Sequence, residues 1–307
     1  MFSVIVATYN GSNFIIEQLN SLIKQTVKFD KIYIYDDCSS DDTLSKIQNW
    51  IHENNVLNII LRTNKTNKGY TKNFLDALSE VEGDFVFLCD QDDVWKPNKV
   101  FEFSKVIEEY KNFEGPMLIT SGYSVCDENL NELKSLHAKT KLHISVAQLK
   151  LNSFIKDCSY PGMTFCVNRR LIEEAKAKLN YDFIKFHDYF LSVLALINGK
   201  MLCIQEKLVL YRQHGNNQIG AAGSSNKTRK HWKKVLEQKQ NEIQIIEYCG
   251  LEKTFIKKKN DFLKKRIDWF LNHKMLSILL NFLAYLKYFD FKSFLGDLYF
   301  SMKKDVI

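Results

Sequence analysis

The stretch GDFVFLCDQDDVW (Gly83–Trp95) joins an apolar run directly to an acidic one. Phe85-Val86-Phe87-Leu88 reads as a buried strand. Asp90-Gln91-Asp92-Asp93 then falls at its carboxyl end, with three carboxylates in four residues. Carboxylates this close repel each other and lose hydration when enclosed, so the group calls for a positive partner.

The same strand-then-polar pattern repeats toward the N-terminus. Ser3–Ala7 is a short apolar strand, followed by the turn Thr8-Tyr9-Asn10-Gly11-Ser12. Phe14–Lys24 has helical spacing through Ile15, Leu19, Leu22 and Ile23. Lys31–Tyr35 is a second strand, ending at Asp36-Asp37, and Thr43–His52 a helix capped by the polar cluster before it. Val56–Arg62 is a third strand, Tyr70–Glu80 a third helix and Asp84–Leu88 the fourth strand. This alternation predicts an α/β fold with a mostly parallel, Rossmann-like sheet and helices on both faces. In such sheets ligands bind beyond the carboxyl ends of the strands. Thr8–Asn10, Asp36–Asp37, Asn67–Gly69 and Asp90–Asp93 all follow strands, so they are expected to share one crevice. A lone D-x-D often does no more than cap a helix. Four polar clusters on one edge instead suggest a divalent cation, Mg²⁺ or Mn²⁺, held by carboxylate oxygens together with phosphate and water.

Composition sets the frame. The chain has 307 residues, 45% apolar and 26% charged, as expected of a folded domain with a substantial core. Its 7 cysteines are scattered and form no C-x-x-C, which favours reduced thiols in a cytoplasmic protein over a disulfide framework or zinc site. A strand begins straight after Met1, so no signal peptide is expected. The longest apolar run near the C-terminus, Met275–Leu286, has 12 residues and is too short to span a bilayer. The net charge of +7 is uneven: residues 227–307 carry 18 Lys/Arg against 9 Asp/Glu, and the first 226 residues are slightly acidic. The expected division is therefore a slightly acidic α/β domain over 1–226 and a basic, aromatic-rich helical region over 227–307.

The motifs resemble those of family 2 glycosyltransferases of the GT-A fold. The matching pieces are FSVIVATYNGSNFIIEQLNSLIKQT, YIYDDCSSDDT, NKGYTKNFLDAL, GDFVFLCDQDDVWKPNKV, PGMTFCVNRRL, FHDYFLSVLALINGK and LYRQHGNNQIG, in the family's order over roughly residues 1–220. CDQDDVW with YRQHGNN is most similar to the rhamnosyltransferase branch. The resemblance implies an inverting, metal-dependent transfer of a sugar from a nucleotide-diphospho-sugar, dTDP-rhamnose or a UDP-hexose. The implied acceptor is a cell-surface glycan growing on a lipid carrier, with the enzyme cytoplasmic or peripheral on the inner membrane face. No nucleic-acid partner is expected.

It also implies roles for individual residues. Thr8, Tyr9 and Asn10 would line the base and ribose, and Asp37 would accept from the base N3–H. Asn67 and Lys72 would lie beside base and diphosphate, although many relatives have arginine where Lys72 stands. Asp90 would contact the ribose or a metal-bound water, Asp92 would bind Mn²⁺ or Mg²⁺, and Asp93 would cap the next helix. His214 is a further candidate metal ligand, or else a hydrogen-bonded loop histidine, and Arg212 a candidate phosphate partner. Asp188, after His187 at the start of a late helix, would be the base that deprotonates the acceptor. The helix N-terminus is expected to lower its pKa. Glycine in Pro161-Gly162-Met163-Thr164 permits a close backbone approach, with no partner assignable from sequence.

Two other classes fit part of the pattern. A haloacid-dehalogenase-like phosphatase would use Asp90 as nucleophile, but no later paired-aspartate motif is present. A non-catalytic nucleotide-sugar-binding scaffold would not need the Asp90, Asp92 and Asp188 set. An EF-hand reading of DQDD fails for lack of the loop glycine and terminal glutamate.

The tail reads as helices over His231–Tyr248, Leu251–Phe270, Met275–Tyr288 and Phe291–Met302. Its basic clusters, Lys257–Lys259 and Lys264–Arg266, lie among many aromatics. The expectation is that these bind an anionic bilayer, the aromatics inserting, or else that the aromatics pack onto the catalytic domain or form a homodimer interface.

Overall fold

The computed structural model describes residues 1–133, 146–151, 160–214, 229–250, 254–289 and 291–302. The chain divides into two compact units, Met1–Tyr181 with Phe186–Ala221, and Asp182–Lys185 with Ala222–Ile307.

The first unit is built on one sheet. Its strands are β1 (Phe2–Thr8), β2 (Lys31–Asp36), β3 (Ile59–Thr63), β4 (Phe85–Asp90), β5 (Val94–Trp95), β6 (Met117–Cys126), β7 (Val146–Gln148), β8 (Cys166–Asn168) and β9 (Lys200–Arg212). They run in the order β3-β2-β1-β4-β8-β6-β9-β5, with β7 also on β9. β3, β2, β1 and β4 are parallel, as the alternation predicts. The half beyond β4 is mixed: β8 is antiparallel to both β4 and β6, and β6 is parallel to β9.

Among the described residues this unit also contains the helices α1 (Ile15–Ile23), α2 (Thr43–Asn54), α3 (Tyr70–Glu80), α4 (Lys99–Glu109), α5 (Arg169–Ala177) and α6 (His187–Asn198). The burial periods explain the packing. Val4 and Val6 of β1 point to the same face as Phe87 and Cys89 of β4, into a core with Leu19, Leu22, Ile47, Trp50, Val100 and Phe103. Ile5 and Leu88, on the opposite parity, are also fully buried, and α3 lies against β1. A strand buried on both faces reads as a continuous apolar run, which is why Phe85–Leu88 carries no alternation.

The second unit contains α7 (Arg229–Tyr248), α8 (Thr254–Leu271), α9 (Met275–Leu280), α10 (Phe282–Tyr288) and α11 (Phe291–Met302). The single helix expected over Met275–Tyr288 is interrupted at Asn281. The aromatics expected at a membrane are largely internal here. Phe262, Tyr285 and Phe294 form a buried cluster with Ile278, and Trp269, Phe282, Tyr288 and Phe289 pack onto it. Asp297 is fully buried and accepts from Trp232 Nε1 (2.7 Å), Arg266 Nε (2.8 Å) and Tyr285 Oη (2.6 Å). Lys259 is buried too, its Nζ lying 4.9 Å from the Phe289 ring centroid. Thus Arg266 and Lys259 serve the core of this unit, and neither belongs to an exposed basic cluster.

Candidate functional site

Parallel pairing sets the strand ends level. Thr8 is in register with Asp36, and Ala7 with Asp90. The turns after β1, β2 and β4 therefore leave the sheet on one edge, and side chains lace them together. Gln91 Oε1 accepts from Thr8 Oγ1 (2.7 Å) and Tyr9 N (2.8 Å), and Gln91 Nε2 donates back to the Tyr9 carbonyl (3.0 Å). Sequence reasoning passed over Gln91, although its place between two aspartates was the available signal. Asn10, at φ 48°, takes Ser39 Oγ as acceptor for its N–H (2.9 Å), and its Oδ1 accepts from Ser40 N (2.8 Å). Of the three residues expected to line a nucleotide, Thr8 is buried, while Tyr9 and Asn10 are exposed, with the Asn10 amide engaged.

Asp37 is buried. Its Oδ1 accepts from Asn64 Nδ2 (2.8 Å) and Lys68 N (2.9 Å), and its Oδ2 from Lys68 N (3.0 Å) and Gly69 N (2.8 Å). The carboxylate thus shapes the turn that enters α3, and a base N3–H would compete with these donors. Asn67 Oδ1 accepts from Gly69 N in the same turn (3.0 Å). Lys72 is exposed, its Nζ 5.0 Å from the Tyr181 ring centroid.

The acidic turn after β4 is electrostatically crowded. Burial raises the Asp90 carboxyl pKa, and neighbouring Asp92 and Asp188 raise it further. Asp92 Oδ2 lies 2.9 Å from His214 Nε2, and the His214 ring packs on Phe14 at 4.6 Å. Asp93 is fully buried. Its Oδ1 accepts from Arg212 N (3.1 Å), and its Oδ2 has no hydrogen-bond partner. Burial, then Asp92 and Asp90, hold its pKa well above the carboxylate range. The N-cap residue of α4 is Asn98, so Asp93 braces β9 and does not have the capping role expected of it.

Arg212 is likewise inward. Its Nε donates to the Asp92 carbonyl (2.8 Å), Nη1 to the Glu128 carbonyl and Nη2 to the Glu17 carboxylate. At 3% exposed, this candidate phosphate partner fastens the acidic turn. Beneath the same turn lies Lys99, which sequence reasoning did not single out. It is fully buried, donates to the Met163 carbonyl (2.9 Å) and sits 3.3 Å from the Trp95 ring centroid. Burial pushes its ammonium pKa down to about 7, an effect opposed by nearby Cys89, Asp93, Cys166 and Asp90. A lysine in the first turn of an amphipathic helix carries no sequence mark of burial.

Asp188 lies in the first turn of α6 and accepts from Tyr189 N (2.7 Å). Burial raises its pKa to about 6, against the lowering effect of backbone N–H bonds from Tyr189 and Gly162. The expected lowering by the helix N-terminus is therefore reversed, because desolvation outweighs it. His187 is buried and stacked on Phe74 at 4.5 Å, with no partner at either ring nitrogen. Burial lowers its pKa to about 3, so it is neutral at physiological pH. A Cβ on Gly162 would stand 2.5 Å from His187 Nε2, which identifies the close approach that requires glycine. Asp90, Asp92, Asp188 and His214 are thus placed on the turn after β4, the start of α6 and the end of β9. Among the described residues, no three His, Cys, Asp or Glu side chains form a ready-made metal cage. The glycine- and serine-rich stretch 220–225 lies outside the described residues.

The chain is similar to known proteins in sequence and in fold. The family model for "Glycosyl transferase family 2" matches residues 3–172. The dTDP-rhamnosyl transferase RfbG of Shigella flexneri is 30% identical over 226 residues, covering 70% of this chain and 74% of the relative. The Escherichia coli glucosyltransferase WfgD, named for UDP-Glc and α-D-GlcNAc-diphosphoundecaprenol, is 25% identical over 68% of this chain and 77% of its own length. The structure of S. aureus TarS 1–349 in complex with UDP superposes with a TM-score of 0.56 at 22% identity, over 79% of this chain and 65% of that one. This last likeness concerns the fold, which is that of the GT-A glycosyltransferases. Together the motif order, the sheet and these matches place the chain: it belongs to glycosyl transferase family 2 and is a glycosyltransferase.

Proposed function

We propose that the chain transfers a sugar, with inversion, from dTDP-rhamnose or a UDP-hexose to a hydroxyl of a cell-surface glycan. The acceptor is carried on a lipid at the inner membrane face. The observation that carries this reading is the gathering of Asp90, Asp92 and His214 at one strand-end edge, with Asp188 close enough to raise the Asp90 pKa. Asp188 takes the proton of the acceptor hydroxyl. The oxygen then attacks the anomeric carbon, whose bond to the diphosphate oxygen breaks, and the nucleotide diphosphate departs. Tyr9, Asn67 and Lys72 are exposed on or near the edge and would meet base, ribose and diphosphate. Thr8 and Asp37 act from beneath by setting the turns. The names of RfbG and WfgD support the two donor classes, and WfgD supports a lipid-linked acceptor.

The donor set fits a hard divalent cation. Two partly exposed carboxylates and an imidazole already within 2.9 Å of one of them leave room for phosphate and water to complete the shell. Asp92, Asp90 and His214 would hold Mn²⁺ or Mg²⁺, which would offset the charge of the leaving diphosphate. The test is a panel of nucleotide-sugars, titrated with Mn²⁺ and again with EDTA. One of the UDP or dTDP series should bind only with metal, and its sugar should be slowly hydrolysed without acceptor. Failure of the whole panel to bind with Mn²⁺ would sink the reading. The phosphatase alternative is set aside by the family match.

A further inference from the structure

The second unit exposes an apolar helix face that its own core does not use. In α9 and α10, Ile278 and Tyr285 are fully buried, and Phe282 packs onto the same cluster. Leu276 (69%), Leu279 (47%), Leu280 (77%), Leu283 (78%) and Leu286 (47%) are exposed. By their spacing Leu276, Leu279 and Leu280 share one face of α9, and Leu283 and Leu286 one face of α10, on either side of the interruption at Asn281; none of the five belongs to the Ile278–Tyr285 cluster. A segment apolar on both sides is expected to be covered, and five neighbouring exposed leucines exceed the scattered apolar residues of an ordinary surface.

Charge decides between the possible covers. Residues 227–307 carry 18 basic and 9 acidic residues. Lys257, Lys258, Lys264, Lys265, Lys287 and Lys292 are exposed, and the buried Asp297 is already engaged with Arg266. A second copy would bring another strongly positive unit against this one. Interface hot spots also favour tryptophan, tyrosine and arginine over leucine. An anionic bilayer supplies the opposite charge and a hydrocarbon boundary into which leucines dip while lysines stay at the headgroups.

We propose that the leucine face of α9 and α10 is a docking surface for an anionic lipid bilayer, inserted in the interface plane and assisted by the exposed lysines of this unit. No helix among the described residues is long and apolar enough to cross a membrane, so this contact is interfacial. It differs from the expectation drawn from sequence, because leucines provide the insertion and most of the aromatics form the core.

The test uses the full chain with vesicles of phosphatidylcholine alone or with about 30% phosphatidylglycerol, read by flotation. Binding should need the anionic lipid and weaken at high salt. It should fall roughly fivefold for each of Lys257, Lys258, Lys264 and Lys265 neutralised to Gln. L276S/L280S/L283S should lower it roughly tenfold or more. These leucines are exposed, so the triple variant should keep its circular dichroism and its nucleotide affinity, which makes a folding failure visible. The readout needs neither donor nor transfer and stands apart from the donor assignment. Equal binding to both vesicles, no binding to either, or unchanged binding by the triple variant would overturn the proposal. So would a wild-type dimer that the triple variant makes monomeric without any vesicle binding.

Discussion

Asp188→Asn removes the proposed base and a buried charge together, and the two losses have opposite signs. For transfer, losing a positioned base costs about 10²- to 10⁴-fold in rate, roughly 3–5 kcal/mol of barrier. For stability, burial raises the carboxyl from its ordinary 3.8 to about 6. A rise of that size corresponds to about 3 kcal/mol when the group is ionised in the fold, and partial exposure discounts it to roughly 1–3 kcal/mol. Since the folded pKa lies above the unfolded one, the folded chain holds the proton more tightly. Its contribution to stability is fully present below the ordinary carboxyl pKa and is lost as pH rises through about 6. Asparagine does not ionise and keeps that contribution at every pH. The variant should therefore melt above wild type at pH 8, at about 2–4 °C per kcal/mol, with the gap narrowing by pH 5. Melts in EDTA keep any cation at Asp92 out of the comparison, and transfer assays on the same preparations give the loss of rate. A variant that transfers near-normally, or melts no higher than wild type at pH 8, would refute the reasoning. Transfer without Asp188 would direct attention to Asp182, which is exposed, and to residue 157, outside the described set.

Asp92→Ala should abolish the metal dependence of UDP or dTDP binding; calorimetry showing wild-type affinity with Mn²⁺ would remove Asp92 from the metal site. The acid limb of kcat/KM for transfer should fall about tenfold per unit below pH 6, or somewhat lower at saturating metal, because a nearby cation draws the Asp188 pKa down. A flat profile across pH 5–7 would exclude Asp188 as the titrating base. Arg266→Met leaves the buried Asp297 without its cation and should cost about 3–5 kcal/mol in chemical denaturation. Arg266→Met with Asp297→Asn should recover much of that, and no recovery would mean that the ion pair is not the source.

The first four strands and the convergence of their ends were legible because period and polarity change together there. Phe85–Leu88 is wholly apolar and Asp90–Asp93 wholly polar, so the strand end is marked in composition. The direction of side chains at that edge was not marked. Asp37 and Arg212 have the residue types of ligand contacts, yet backbone groups, Asn64 and Glu17 engage them. Motif order locates such residues on an edge without telling whether they face inward or outward. The tail shows the same gap. Composition revealed leucines, aromatics and lysines, but Arg266 pairs with an aspartate 31 positions away, and α9 and α10 each carry both a buried and an exposed apolar side. A periodicity with two apolar faces does not reveal which of them the fold covers.

The charge balance of the site bears on why donor and metal would be coupled. Among the described residues, Arg212 and Lys99 are side-chain cations beside Asp90, Asp92 and Asp93. Arg212 reaches the cluster but donates its side-chain nitrogens to two carbonyls and Glu17. Lys99 lies behind it and donates to the Met163 carbonyl. Desolvation raises the pKa of Asp90 and Asp93 and lowers that of Lys99, so burial disfavours the charged form of each. A divalent cation, as proposed, would let Asp90 and Asp92 ionise, and the diphosphate would balance the cation from the open side. Metal uptake would then release protons and strengthen with pH. For the proposed base role Asp188 must be ionised, and its place on α6 favours this: backbone N–H donors from Tyr189 and Gly162 oppose the rise that burial causes.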